Sequence, residues 1–141
     1  VFGLTLNTTK GEIAKAILEG LTYELRLNLE TMQQAGINIR EIIAVGGGAK
    51  SPGWLRMKTN ITGRPLKILK NKEAAPLGAG ILAGVGCGHY RSFEEAVDTM
   101  VKVERVYEPD PAECRVYEEH YEVYRRLYAA VLPLYKQIRP D

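Results

Sequence analysis

A short apolar run that ends in three consecutive glycines constrains this chain more than any other feature of its sequence. Residues 39–45 are apolar enough for a buried strand, and the glycines at 46–48 that follow predict a sharp turn. Ser51 is suited to cap a helix that starts at Pro52 and ends near Gly63. A strand that runs through a turn into a helix is typical of an α/β layered domain.

The rest of the chain alternates between helical and strand patterns. Thr9 and Glu12 form a capping-box pattern ahead of apolar residues at helical spacing, and Gly36 is a natural helix stop. Pro65 precedes a second short apolar run and favours an edge position for it. The predicted elements are a long helix over residues 10–35, an edge-type strand over residues 66–69, a short helix capped at Ser92 that runs through Val101, and a final helix that opens at residues 110–113.

Composition excludes several classes of function. The net charge is +2, and Lys and Arg are scattered along the chain, which argues against nucleic-acid binding. Cys87 and Cys114 stand too far apart for a zinc pair, so we interpret them as two reduced thiols. No run approaches the roughly 20 apolar residues that span a bilayer, which predicts no membrane partner and a cytoplasmic location. Residues 1–6 read as the end of a strand or loop without a preceding Met, so we expect the chain to be cut from something longer.

The glycines also carry a chemical signal. Glycine lets a ligand approach main-chain N–H groups without a Cβ in the way, and a helix N-terminus favours phosphate. The run is not a P-loop, because Lys50 follows Ala49 rather than a glycine. It is not the dinucleotide-binding fingerprint either, because Gly46, Gly48 and Gly53 do not match the spacing Gly-x-Gly-x-x-Gly. The residues alone leave open a phosphate-binding turn and an ordinary tight turn.

Several segments together resemble the C-terminal domain of FGGY carbohydrate kinases. They are Ala-Val-Gly-Gly-Gly-Ala-Lys-Ser-x-x-Trp at residues 44–54, Gly-Arg-Pro-Leu at residues 63–66, and the run Glu-Ala-Ala-Pro-Leu-Gly-Ala-Gly-Ile-Leu-Ala-Gly-Val-Gly at residues 73–86. Gly-Leu-Thr-Leu at residues 3–6, Leu-Glu-Gly at residues 18–20 and Tyr-Glu-Pro-Asp-Pro at residues 107–111 resemble xylulokinases in particular. The resemblance covers essentially the whole chain.

The resemblance implies an α/β, actin-like (ribonuclease H-like) ATPase fold, with residues 1–141 as a partial C-terminal, nucleotide-binding domain that lacks its first strands. ATP, with Mg²⁺, would lie in a cleft between two such domains. Gly47 and Gly48 would lie along the nucleotide, with Ala49 beside the base or ribose, while Ser51 caps the following helix. Glycerol kinases of the family place an amide side chain near the base where this chain has Pro52, which offers no polar group there.

The implied activity is transfer of the ATP γ-phosphate to a hydroxyl of a ketopentose, as in xylulokinases, with ADP as product. The sugar would bind mainly through an N-terminal domain, and kinases of this family often self-associate. Asp98 falls within a predicted helix, Asp110 at a helix cap and Asp141 at the chain end, so none resembles a catalytic base and we expect the chain to be inactive alone. The alternatives are a free-standing nucleotide-binding or regulatory module derived from such a kinase, and a different actin-like ATPase.

Four further features each keep two interpretations. Trp54 could stack on adenine or be buried. The small-residue segment at 77–86 could line the nucleotide cleft or pack tightly beneath the glycines. Lys50 reaches a phosphate or is solvated. Four tyrosines of the final helix pack on the domain or bind a partner, and packing is favoured. These are Tyr117, Tyr121, Tyr124 and Tyr128.

Overall fold

The computed structural model describes residues 3–138, which form five α-helices and three β-strands. In chain order these are α1 (Lys10–Gln34), β1 (Ile42–Ala44), α2 (Pro52–Thr62), β2 (Leu66–Leu69), α3 (Ala74–Gly86), α4 (Phe93–Met100), β3 (Val103–Tyr107) and α5 (Pro111–Ile138). Between β1 and α2 lies one turn of 3-10 helix, Gly46–Ala49, which we name the glycine turn. Val1 and Phe2 of the expected opening segment, and Asp141, lie outside the described residues.

The chain divides into two compact units. The helical unit consists of Val1–Ile39, Asn60–Gly63 and Pro109–Asp141, and it contains α1, the end of α2 and α5. The sheet unit consists of Arg40–Thr59 and Arg64–Glu108, and it contains the three strands, the glycine turn, α3 and α4. The expectation of one partial domain over residues 1–141 stays a prediction.

The sheet unit is built on a three-stranded mixed sheet in the order β1-β2-β3. β1 pairs with β2 in parallel, with Ile42 opposite Leu66, and β2 pairs with β3 antiparallel, with Leu66 opposite Tyr107. One face of this sheet carries the core. Its buried members are Ala49, Leu55, Leu66, Ile68 and Tyr107, with Ile42 and Ala44 packed against them. The core therefore joins the strands to the glycine turn and α2.

The structure corrects two expectations about the strands. β2 is the central strand rather than an edge strand, because Pro65 precedes it and does not interrupt its hydrogen bonds. The carbonyl of Pro65 accepts a hydrogen bond from the N–H of Ile42 at 3.0 Å. β1 is shorter than predicted and only half-buried, since Ile43 points away from the core and is 49% exposed.

β3 was not predicted from the sequence. Four of its five residues are exposed, and only Tyr107 is buried. Charged residues at 104 and 105 interrupt the apolar pattern of the segment, so the usual alternation of a half-buried strand is missing. The pairing with β2, which a local pattern does not reveal, defines this strand.

Polar side chains cap three helices at the predicted positions. The hydroxyl of Thr9 accepts a hydrogen bond from the N–H of Glu12, and the Glu12 carboxylate accepts one from the N–H of Thr9, which completes a capping box on α1. Ser92 accepts from the first turn of α4, and Asp110 accepts from the first turn of α5. These local signals fix where each helix begins.

The tyrosine stripe of α5 packs against α1 in the helical unit. Its first three tyrosines are buried or half-buried, and the fourth, Tyr128, is 56% exposed. The hydroxyl of Tyr121 donates to the Glu30 carboxylate at 2.8 Å. The hydroxyl of Tyr124 donates to the Glu24 carboxylate at 2.9 Å. The interpretation of the stripe as a packed face is thus confirmed for three of the four tyrosines.

Arg26 of α1 connects the three chain segments of the helical unit. Its guanidinium forms ion pairs with Glu30 of α1 at 2.9 Å and with Glu118 of α5 at 2.7 Å. It also donates to the carbonyl of Ile61 at 3.2 Å and lies 4.0 Å from the centre of the Tyr121 ring. A planar group with several donors makes all four contacts at once, which a lysine would not.

Glycines of α3 allow two side chains to approach the helix closely. A Cβ on Gly84 would lie 2.7 Å from the Tyr90 ring, and a Cβ on Gly80 would lie 3.1 Å from Cε of Met100 in α4. The packing interpretation of the small-residue segment is confirmed at these two positions, but the contacts go to Tyr90 and α4 rather than to the glycine turn. Close packing of helices is a common use of small residues.

Residues 3–138 contain no membrane-spanning helix, disulfide or cluster of metal ligands. No helix there has both the length and the apolar character needed to cross a bilayer. Cys87 is exposed and Cys114 half-buried, and both are free thiols. The same residues contain no group of three or more His, Cys, Asp or Glu side chains placed to hold a metal ion.

We predict that Gly84→Ala lowers the free energy of unfolding by about 1–3 kcal/mol, because its Cβ overlaps the Tyr90 ring. Gly78→Ala in the same helix is the matched control. A Cβ there meets no atom within 4 Å, so the change should raise the free energy of unfolding by up to about 1 kcal/mol through helix propensity. Urea unfolding of both variants measures the difference, and equal effects would contradict the close approach of Tyr90.

Candidate functional site

The parallel pairing of β1 with β2 brings two loop-to-helix junctions to one edge of the sheet. The carboxyl ends of parallel strands lie at the same edge, where α/β proteins commonly bind ligands. The glycine turn and α2 follow β1, and α3 follows β2. The N–H of Gly46 donates to the carbonyl of Lys72 at 2.8 Å, which ties the glycine turn to the segment that enters α3.

The glycine turn is a tight, internally bonded backbone segment. Gly46 has a φ of 66°, in the left-handed region that favours glycine. The N–H of Lys50 donates to the carbonyl of Gly47 at 3.1 Å and closes the turn. Ala49 is 2% exposed, because its methyl group belongs to the core of the sheet unit. A ligand beside Ala49 would therefore meet the main chain rather than the methyl group.

Gly47 and Gly48 have different surroundings although they are adjacent. A Cβ on Gly47 would meet no atom within 4 Å, so this residue leaves open space next to the main chain. A Cβ on Gly48 would lie 3.1 Å from the ammonium nitrogen of Lys58 and 3.7 Å from Cζ3 of Trp54. A side chain added at Gly47 would thus enter open space, whereas one added at Gly48 would lie against Lys58 and Trp54.

Lys58 and Trp54 of α2 lie against the glycine turn. The Lys58 ammonium is 3.8 Å from the centre of the Trp54 ring, and it donates to the carbonyl of Gly48 at 3.4 Å. Burial lowers the pKa of Lys58 from its ordinary value. Trp54 is half-buried, so it agrees only in part with the interpretation of this residue as buried. The Lys58 ammonium lies over its ring.

Lys58 was not among the site residues predicted from the sequence. Its only sequence signal is its position four residues after Trp54, which places the two side chains on the same side of a helix. That spacing is common, so it does not single out this lysine without the position of the glycine turn.

The start of α2 follows the glycine turn directly. The hydroxyl of Ser51 accepts a hydrogen bond of 3.4 Å from the N–H of Trp54, which confirms Ser51 as a helix cap. Pro52 is the first helical residue, as predicted. Lys50 is exposed. The predicted site residues Gly47, Gly48, Ala49 and Ser51 thus lie together, with Lys50 among them, just before α2.

Asp98 and Asp110 occupy the positions that the sequence predicted for them. Asp98 lies within α4, and Asp110 caps α5. Neither belongs to the glycine turn. The residues next to the turn supply main-chain N–H groups, a helix N-terminus and a lysine, which suit an anionic ligand better than a bare cation.

We predict that Gly46→Ala costs about 1–3 kcal/mol of folding free energy, because alanine is strained at a φ of 66°. Gly47→Ala is the matched control in the same turn, since its φ is not positive and its Cβ meets nothing within 4 Å. The free energy of unfolding of Gly47→Ala should lie within about 0.5 kcal/mol of that of the wild-type chain. Thermal or urea unfolding compares them, and an equal loss in both would contradict the described turn.

Comparison with known proteins identifies the family. The sequence profile of the FGGY family of carbohydrate kinases, C-terminal domain, matches residues 1–87. A xylulose kinase from Staphylococcus epidermidis is 37% identical over 126 residues, which cover 89% of this chain and 25% of that protein. An L-fuculokinase from Escherichia coli O157:H7 is 40% identical over 95 residues, which cover 67% of this chain and 20% of that protein.

The solved structures agree with the sequence comparison. The xylulose kinase from Lactobacillus acidophilus, solved with a ligand, matches 98% of this chain and 28% of its own length, with a TM-score of 0.86 and 25% identity. The predicted α/β, actin-like ATPase fold class is thus confirmed. The chain spans about a quarter of the length of the curated relatives it matches. It belongs to the FGGY family of carbohydrate kinases, as part of the C-terminal domain of that family.

Proposed function

We propose that this chain is the ATP-binding portion of a sugar kinase that transfers the γ-phosphate of ATP to a hydroxyl of a ketopentose. The observation that carries the proposal is the open main chain at Gly47, next to the N-terminus of α2 at the carboxyl edge of two parallel strands. Such an arrangement suits the phosphates of a nucleotide. Membership of a carbohydrate kinase family supports ATP as that nucleotide.

Each residue of the glycine turn has a defined part in this proposal. Gly47 provides the approach to the nucleotide, and the main chain of Gly48 and Ala49 borders it. Ser51 caps α2 through its side chain, which leaves the remaining first-turn N–H groups of the helix to favour an anion. Gly46 holds the turn to Lys72 and so fixes its position at the edge of the sheet.

The charge of the sheet unit supports an anionic ligand. Arg40–Thr59 and Arg64–Glu108 together contain more Lys and Arg than Asp and Glu, whereas the helical unit has the opposite balance. A surplus of positive charge raises the local concentration of a nucleotide and its rate of association. Mg²⁺ would arrive with the nucleotide, because substrate phosphates commonly supply part of its oxygen ligands.

The chain alone should bind nucleotide without transferring phosphate. Phosphoryl transfer needs an oriented hydroxyl and a group that positions or deprotonates it. Neither Asp98 nor Asp110 lies in the glycine turn. The sugar, which we propose to be xylulose-like from the xylulose kinase relative, would bind to parts of the kinase outside this chain. Self-association stays a prediction.

We predict that calorimetry detects saturable binding of Mg-ATP and Mg-ADP to the wild-type chain and that Gly47→Asp weakens it by at least about tenfold. The new carboxylate would project into open space, so it should repel the phosphates without disturbing the fold. Gly47 is a sharper probe than Gly48, where a new side chain would meet Lys58.

Two controls separate charge from bulk. Gly47→Lys adds bulk with the opposite charge and should bind nucleotide more tightly than Gly47→Asp. Gly11→Asp adds the same carboxylate in the first turn of α1, where it is exposed, and should bind like the wild-type chain. Equal binding by the wild-type chain and Gly47→Asp, or no saturable binding at millimolar nucleotide, would contradict the proposal for this chain.

A further inference from the structure

The segment that follows β2 is held beside the glycine turn. The N–H of Gly46, the first residue of the turn, donates to the carbonyl of Lys72 at 2.8 Å. This hydrogen bond uses the main chain of Lys72 and does not involve its ammonium group. Lys72 therefore brings a positive charge close to the turn, at the end of a flexible four-carbon side chain.

The ammonium of Lys72 forms an ion pair with the carboxylate of Glu104 at 3.3 Å. β3 runs antiparallel to β2, with Val103 opposite Leu69, so the start of β3 lies at the carboxyl end of β2. The side chains of Lys72 and Glu104 are 32% and 44% exposed. Ion pairs this exposed contribute little to folding, because water screens the attraction and two long side chains lose freedom. Lys72 thus has a partner that it can exchange for another anion.

A second lysine–glutamate pair of the sheet unit lies near the opposite edge of the sheet. Lys67 of β2 pairs with Glu41, which immediately precedes β1. These side chains are 30% and 42% exposed, almost the same as in the first pair. The glycine turn follows the other end of β1. The two pairs agree in chemistry and exposure and differ in their position relative to the turn, so the Lys67 pair is a matched control for the Lys72 pair.

Nucleotide phosphates offer an ammonium group more than a single carboxylate does. They carry several negative oxygens, and their hydrogen bonds with an ammonium are charge-assisted. Phosphates at the glycine turn would also be favoured by the N-terminus of α2, so Lys72 would meet an anion that is already held in place. Glu104 would compete with that anion for the same ammonium.

We propose that Lys72 is a further nucleotide-binding residue, whose ammonium leaves Glu104 and binds a phosphate of the nucleotide at the glycine turn. Glu104 then lowers the affinity for nucleotide, because its ion pair with Lys72 must be given up on binding. This inference rests on the proposed function, since it adds a residue to the nucleotide site described above.

Calorimetry with Mg-ADP tests the proposal on variants of the 141-residue chain. Lys72→Met keeps the length of the side chain and removes its charge, so it should weaken binding by about tenfold. Glu104→Gln removes the competing carboxylate and should tighten binding by about threefold. Lys72→Arg keeps the charge and should bind within about threefold of the wild-type chain.

The opposite signs of the two effects distinguish a binding role from a structural one. If the Lys72–Glu104 pair only stabilised the fold, loss of either partner would act on nucleotide binding in the same direction. Lys67→Met and Glu41→Gln break the matched pair and should both bind Mg-ADP within about twofold of the wild-type chain. Circular dichroism checks that each variant is folded; if Lys72→Met is not, the tightening expected for Glu104→Gln carries the test.

The outcomes separate this inference from the proposed function. Binding by Lys72→Met within about twofold of the wild-type chain would overturn the inference, and so would weaker binding by Glu104→Gln. If Gly47→Asp still weakens binding in that case, the proposed function stands without Lys72. If the wild-type chain does not bind Mg-ADP, the proposed function fails for this chain, and the role of Lys72 fails with it.

Discussion

The parallel pairing of β1 with β2 is the constraint on which the candidate site depends. It puts the residues after both strands at one edge of the sheet, where the N–H of Gly46 reaches the carbonyl of Lys72 at 2.8 Å. Ala49 and Leu55 then anchor the glycine turn and α2 in the core of the sheet unit. Since the turn is fixed on both sides, the exposed Gly47 has a defined position at this edge of the sheet.

The three consecutive glycines differ in backbone angle and surroundings. Gly46 takes a positive φ, a Cβ on Gly47 would meet open space, and a Cβ on Gly48 would lie 3.1 Å from the Lys58 ammonium. A glycine run read from sequence alone suggests one common reason, which is close approach of a ligand along its whole length. The structure adds a separate reason at Gly46, whose positive φ favours glycine with or without a ligand.

The sequence predicted the features that depend on neighbouring residues. Helix caps depend on residues close together in the chain. The predicted caps are confirmed at Thr9, Ser51, Ser92 and Asp110, and so are the helices that follow them. It failed where partners distant in the chain decide the outcome. β3 is defined by its pairing with β2, and this pairing makes β2 the central strand. The contact of Lys58 with Gly48 likewise joins residues on separate elements. Residue types at those positions carry no comparable signal.

The most direct test of the account is amide chemical-shift mapping of the 141-residue chain during titration with Mg-ADP. If the glycine turn holds the nucleotide, the largest shifts occur at Gly47, Gly48, Ala49 and Ser51, with smaller ones at the start of α3, and the amides of α1 and α5 remain unchanged. Saturable shifts that are confined to another surface, with an unaffected glycine turn, would contradict the central claim that this turn is the nucleotide site.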